Sequence, residues 1–145
     1  MREEQSMKQR SRNEIDELIQ RYPKLTSIYE PICHAADLLI ECYQQGHKLM
    51  ICGNGGSAAD SLHMVGELMK SFQCARPISM HCAEKIQSSA VHADYLISHL
   101  QMAFPAMSLV GEAGLLTAYA NDVAADMVFA QQVFGYGKIG DVLLG

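Results

Sequence analysis

The chain has 145 residues, a formal charge of −5, 49% apolar residues and 19% charged residues. That is the make-up of one ordinary globular domain with enough chain to bury a core. The acidic balance excludes a broad nucleic-acid surface, which needs a basic patch, and no apolar run approaches the ~18 residues of a membrane span.

The five cysteines (Cys33, Cys42, Cys52, Cys74 and Cys82) are odd in number and form no C-x-x-C pair. They predict a reduced, cytoplasmic protein. The charged N-terminus lacks the apolar stretch of a signal peptide.

Ser11-Arg12-Asn13-Glu14 has the pattern of a helix-capping box, and Ile15, Leu18, Ile19 and Tyr22 follow at helical spacing up to Pro23. Ser27 to Glu30 repeats the box, and Ile28, Ile32, Ala35, Leu39 and Cys42 continue an apolar face to Gly46. Lys48 to Cys52 reads as a strand covered on both faces. Ser57 to Lys70 reads as a helix, and Ala83 to Ala103 as a single longer one. Ala106 to Val110 is a second strand. Glu112 to Ala120 is helical, with Asn121-Asp122 capping another helix to about Val133. Asp141 to Gly145 is a third strand. Helices between strands indicate an α/β fold with a parallel sheet. The whole is expected as a single domain over 1–145, with a helical segment over 1–46 and the sheet with its crossover helices over 47–145.

Residues 49–60, Leu-Met-Ile-Cys-Gly-Asn-Gly-Gly-Ser-Ala-Ala-Asp, are the most informative stretch. The order strand, glycine turn, helix start exposes unpaired N–H groups at the positive end of a helix dipole. Glycines allow a phosphate to approach that backbone, so the expected ligand is phosphorylated. His63 and Glu67 follow, placed here one and two helical turns along. They are four residues apart and share a face with Asp60 close by. That stripe is offset from the apolar one, so it could face a cleft at the carboxyl edge of the sheet, where ligands sit in open α/β folds. An imidazole and a carboxylate so spaced can hold a divalent metal, zinc first. Alternatively the carboxylate serves as a general base, or the two form a plain surface pair. Gly53-x-Gly55-x-x-Ala58 also matches the dinucleotide fingerprint, but the acid expected about 20 residues on has no strand to sit on. Asn121 and Asp122 can bind substrate hydroxyls or simply cap a helix.

Cys-Gly-Asn-Gly-Gly-Ser at 52–57, with Asp60, His63 and Glu67 behind it, resembles the sugar isomerase (SIS) domain, and within it the phosphoheptose isomerases. Asn121-Asp122, Phe129 and Gly140-Asp141-Val142-Leu143-Leu144-Gly145 fit the same pattern in the same order. The resemblance covers most of 35–70 and 105–145. It implies a three-layer α/β/α, flavodoxin-like parallel sheet, assembled as a homotetramer with sites at subunit interfaces. It implies conversion of sedoheptulose 7-phosphate to D-glycero-D-manno-heptose 7-phosphate. Glu67 would be the base or a metal-linked carboxylate, and His63 a zinc ligand. Asn54 and Ser57 would touch substrate beside the backbone of Gly55 and Gly56, and Asp122 would bind the sugar chain. Some relatives of this fold instead bind a replication initiator protein, so a non-catalytic phosphosugar-binding or adaptor module is the alternative. Two departures stand out. Residues 71–104 are longer than in compact members. The Ser/Thr-rich phosphate loop and the later Gln and His of the family lie beyond Gly145, so the fold and the site are expected to be incomplete and the chain inactive as an isomerase on its own.

Overall fold

The computed structural model describes residues 2–145, with side chains at 9 and 11–145. The chain divides into two compact units, Met1–His47 and Lys48–Gly145.

The first unit is helical. Helix α1 runs Arg2–Arg21 without a break at Ser11, so the first capping box is not used. Residues 2–10 are rich in Glu, Gln, Met, Lys and Arg, all good helix formers, and the helix propagates through Ser11 instead of starting there. Pro23 opens a 3-10 turn over Pro23–Ile28, and helix α2 spans Tyr29–Gln44. The second box also fails: Ser27 lies inside the 3-10 turn, and no side chain caps α2. Pro31 sits in the first turn of α2, where its missing N–H costs nothing. The two helices pack on each other with Ile15 buried, and the Tyr29 hydroxyl donates to Asp16 Oδ1 at 2.8 Å. That hydrogen bond, with a smaller contribution from Cys33, holds the Tyr29 phenol up at about 12. Helix α2 ends in a Schellman motif, His47 N–H to Cys42 O (2.9 Å) and Gly46 N–H to Tyr43 O (3.1 Å).

The second unit is built on a parallel sheet. Strand β1 is Leu49–Ile51, helix α3 Gly56–Met69, helices α4 and α5 Met80–Ser89 and Ala93–His99, and strand β2 Ala106–Ser108. Helix α6 is Ala113–Asp122; a 3-10 turn over Ala125–Met127 leads into helix α7, Val128–Tyr136, and strand β3 is Val142–Leu144. The strand order is β2-β1-β3, with Met50 opposite Met107 on one side and Leu143 on the other. The central strand is fully buried, as its unbroken apolar run requires, and Leu49, Met50, Ile51 and Leu109 form the core. The chain steps from β1 to β2 in one direction and back across to β3 in the other. Right-handed crossovers then place α3 and the α6–α7 pair on opposite faces, which gives three layers.

Two sequence expectations are corrected here. The single helix over 83–103 is two helices, because Ser88 and Ser89 turn their hydroxyls back onto Lys85 O (2.9 and 2.6 Å) and His92 adopts a left-handed φ of 64°. Ser79 starts the first of them earlier than expected by accepting the Cys82 N–H at 3.2 Å. Asn121 and Asp122 do not cap the following helix; they are the last two residues of α6.

At the amino edge of the sheet Asp141 ties β3 to β1. Its Oδ1 accepts the Lys48 N–H (3.0 Å), its Oδ2 accepts the Lys138 N–H (2.7 Å) and pairs with the Lys48 ammonium. Cys33, Cys52 and Cys82 are free thiols. Among the described residues no helix is long and apolar enough to cross a membrane.

Candidate functional site

The order β2-β1-β3 puts the topological switch point beside β1, where crossovers leave to opposite faces and a crevice opens at the carboxyl ends of the strands. The glycine turn lies there. Cys52 N–H bonds Leu144 O (2.9 Å) and Leu109 N–H bonds Ile51 O (2.8 Å), so the exits of all three strands converge on residues 51–53. Asn54, Gly55, Gly56 and Ser57 are exposed around this crevice, and Ser57 N–H closes the turn onto Asn54 O at 3.1 Å.

The glycines are required at two of these positions for different reasons. Gly55 has φ 56° and ψ −120°, a conformation that strains any residue with a side chain. A Cβ on Gly53 would meet the carbonyl carbon, Cβ and carbonyl oxygen of Ser57, each at 2.8 Å. The backbone of the turn thus lies directly on the first turn of α3. Gly53→Ala is expected to lower the unfolding free energy by about 1–3 kcal/mol, because backbone must move to admit the methyl. Gly56→Ala, with nothing within 4 Å, stays within about 0.5 kcal/mol of the parent. Denaturant unfolding of the two variants checks the contrast.

Helix α3 carries the other candidates away from this edge. Its middle is held to β2 by buried Ser61, whose Oγ donates to Ala58 O and shares a hydrogen bond with Ser108 Oγ, each at 2.7 Å. Its last turn lies level with the start of β2, where Phe104 N–H bonds Leu68 O at 3.0 Å. Glu67 is therefore at the amino edge of the sheet, ten residues and ~15 Å along the helix from Ser57. His63 lies between, ~9 Å from Ser57. Rise along the helix leaves Asp60 near the carboxyl edge but carries Glu67 nearly three turns from the glycine turn, not two. The physical cause is the crossover itself: a helix linking parallel strands must run back from the carboxyl edge to the amino edge.

The environment of Glu67 is unusual. Oε1 pairs with Lys70 Nζ at 3.3 Å across an exposed surface. Oε2 is buried and has no hydrogen-bond partner among the described residues. A buried acceptor left unpaired costs free energy, and no described residue offsets that cost at Oε2. His63 is exposed on the preceding turn, and Asp60 is exposed beside it. Asp122 is also exposed, with Oδ1 accepting from Asn121 Nδ2 at 2.8 Å, and α6 carries it ~14 Å from the β2 exit. The structure thus brings Asn54 to Ser57 together, sets His63 and Glu67 one turn apart on α3, and keeps the two groups apart within one chain.

For zinc, His63 and Glu67 offer two donors, while a catalytic zinc uses three protein ligands. Among the described residues no three His, Cys, Asp or Glu side chains assemble around one point. The residues present do not by themselves fit the metal.

Four polar residues that support the site were not singled out from sequence. Ser61 and Ser108 fasten α3 to β2. Gln132, buried on α7, donates from Nε2 to Leu109 O at 2.8 Å, while its Oε1 has no partner among the described residues. Arg76 reaches the end of α3. A serine inside an apolar strand, and a serine and a glutamine at buried helical positions, are the signals that mark the first three.

The family described as the SIS domain matches residues 12–97. The phosphoheptose isomerase of Coxiella burnetii (strain Dugway 5J108-111) is 34% identical over 117 residues, which are 81% of this chain and 46% of that protein. That of Shewanella baltica (strain OS155) is 32% identical over 115 residues, 79% of this chain and 46% of that protein. The solved structure of phosphoheptose isomerase GmhA from Neisseria gonorrhoeae superposes with a TM-score of 0.55 at 26% identity, covering 98% of this chain and 58% of that one. The chain spans about half the length of the curated relatives it matches. The matched region runs through the glycine turn and α3, and the parallel sheet around them is that of the solved relative, so the chain belongs to the SIS domain family.

Proposed function

We propose that this protein is a ketose–aldose phosphosugar isomerase acting on sedoheptulose 7-phosphate to form D-glycero-D-manno-heptose 7-phosphate. The observation that carries the reading is the buried, unpartnered Oε2 of Glu67 on the helix that the glycine turn begins. Relatives named phosphoheptose isomerase share that stretch of chain.

In this reading Glu67 takes a proton from C1 of the ketose, next to the C2 carbonyl. An enediol forms between C1 and C2. The proton returns to C2, O1 becomes the aldehyde oxygen and O2 its neighbouring hydroxyl, so no external oxidant or reductant is consumed. Asn54, Ser57 and the N–H groups around Gly55 and Gly56 hold the polar chain and phosphate of the sugar, and Asp122 its hydroxyls. The resemblance adds zinc to the site, with His63 and Glu67 as two of its ligands; a third would have to come from outside the described residues, and no step here runs through the metal. A reduced, cytoplasmic setting suits the free thiols and the metabolite substrate.

The ~15 Å along α3 between Ser57 and Glu67 supports sites shared between copies, in a homo-oligomer, with the turn from one copy and the carboxylate from another.

Incubation with sedoheptulose 7-phosphate tests the reading against the sequence expectation of an inactive chain: aldose phosphate forms and solvent hydrogen enters at C2. Binding without turnover would replace it with the non-catalytic phosphosugar-binding module. Mixing a Gly53→Ala protein with a Glu67→Gln protein tests the shared site. Activity regained in the mixture supports it, and a mixture no more active than its components excludes it.

A further inference from the structure

We infer that Arg76, in the long segment between α3 and β2, is a positioning residue for Glu67. The inference rests on Glu67 acting as the base in the reading above, and adds to it the device that holds that base in place.

Three observations converge on Arg76. Its Nη2 donates to Glu67 O in the last turn of α3, at 3.1 Å, and to the O of Lys70, the residue that caps it, two carbonyls with no onward helical partner. Its guanidinium lies over the Phe104 ring, 4.7 Å from the centroid, one residue before Pro105 and the start of β2. Its own backbone is tied on both sides, with Arg76 N–H to Ser71 Oγ (2.8 Å) and Met102 N–H to Arg76 O (2.8 Å). Ser71 N–H in turn donates to Gln101 Oε1 at 2.6 Å, and Pro77 pairs with Gln101 in an isolated antiparallel bridge. Residues 71–77 and 101–104 thus form a brace closed over the C-terminal end of α3.

The consequence for Glu67 is mechanical and electrostatic. A helix C-terminus frays unless its carbonyls are satisfied, and a cation there is favoured by the dipole. The planar guanidinium donates to two carbonyls from Nη2 while its flat face lies over the Phe104 ring, a stacking that the compact ammonium of lysine does not reproduce. Fixing the carbonyl of Glu67 fixes its Cα, the point from which the side chain reaches out to Oε2. Small displacements of a catalytic group cost large factors in rate, so the brace holds the buried oxygen where a substrate proton can meet it. It also gives residues 71–104 a role: the segment encloses the cap.

The test uses Arg76→Gln and Arg76→Lys in the full chain. With sedoheptulose 7-phosphate, Arg76→Gln lowers kcat by about tenfold or more with KM nearly unchanged, and Arg76→Lys recovers part of the loss. Adding Arg76→Gln to Glu67→Gln brings no further loss, because the residue acts only through the carboxylate. Additive losses, or a kcat that Arg76→Gln leaves unchanged, overturn the inference while leaving the Glu67 reading intact. If Glu67→Gln alone keeps full activity, it is that reading which fails. A second measurement does not depend on turnover. Amide hydrogen exchange at residues 67–70 is about tenfold faster in Arg76→Gln and close to wild type at residues 57–61. Unaltered exchange at 67–70 overturns the brace whether or not the protein turns over.

Discussion

Glu67→Gln is expected to reduce isomerisation of sedoheptulose 7-phosphate by about 10²- to 10⁴-fold, the range contributed by one positioned general base. The amide keeps the size and shape of the carboxylate but cannot take up the proton from C1. Its oxygen can occupy the buried Oε2 position and leave the NH2 group toward the surface. What is lost structurally is the pair with Lys70, whose side chain is 60% exposed, and exposed pairs of this kind contribute little. Substrate binding and thermal unfolding therefore change slightly while kcat collapses. A variant that kept more than half its kcat would remove Glu67 from the chemistry. One that lost kcat together with its fold would assign it a structural role instead.

The second large effect lies at the opposite functional extreme, in the Lys48–Asp141 tie. Asp141→Ala is expected to lower the unfolding free energy by about 3 kcal/mol, because it strands a partly buried ammonium and two backbone N–H groups at the amino edge of the sheet. The Asp141 side chain is only 3% exposed, and burial alone would push its carboxyl up. The hydrogen bonds from the Lys48 side chain and from the N–H groups of Lys48 and Lys138, with the Lys48 charge, outweigh that and bring it from 3.8 down to about 2. The folded state thus holds this proton more weakly than the unfolded chain does. The resulting stability, about 2 kcal/mol, is fully present above pH ~4 and is lost as pH falls through ~2. Denaturant unfolding at neutral pH and through this acid window measures both effects. The acid-dependent loss flattens in Asp141→Asn, and curves that stay parallel to wild type would refute the linkage.

The sheet and the glycine turn were legible in the sequence because their determinants are local. An unbroken apolar run, three glycines in four positions and the following helical period leave few alternatives for residues 49–69. The fold class followed, since strands separated by crossover-length helices pair in parallel. Helix boundaries were less legible. The boxes at Ser11 and Ser27 were overridden by the helix formers before Ser11 and by the 3-10 turn after Pro23. The helix over 83–103 kept its apolar spacing yet broke where two serines turned back on Lys85 O.

By itself, then, the sequence determined that Lys48 to Cys52 is a strand covered on both faces, that a glycine turn and a helix follow it, and which family the residues belong to. Those properties depend on residues adjacent in the chain or one helical turn apart. Only the tertiary structure decided that Glu67 lies at the amino edge of the sheet with one oxygen buried and unpaired, and that Arg76 closes the helix that carries it. The physical reason is that a crossover helix separates its two ends by its own length, while a cap such as Arg76 is chosen by proximity in space. Spacing along a helix tells which residues share a face; it does not tell which edge of the sheet that face reaches.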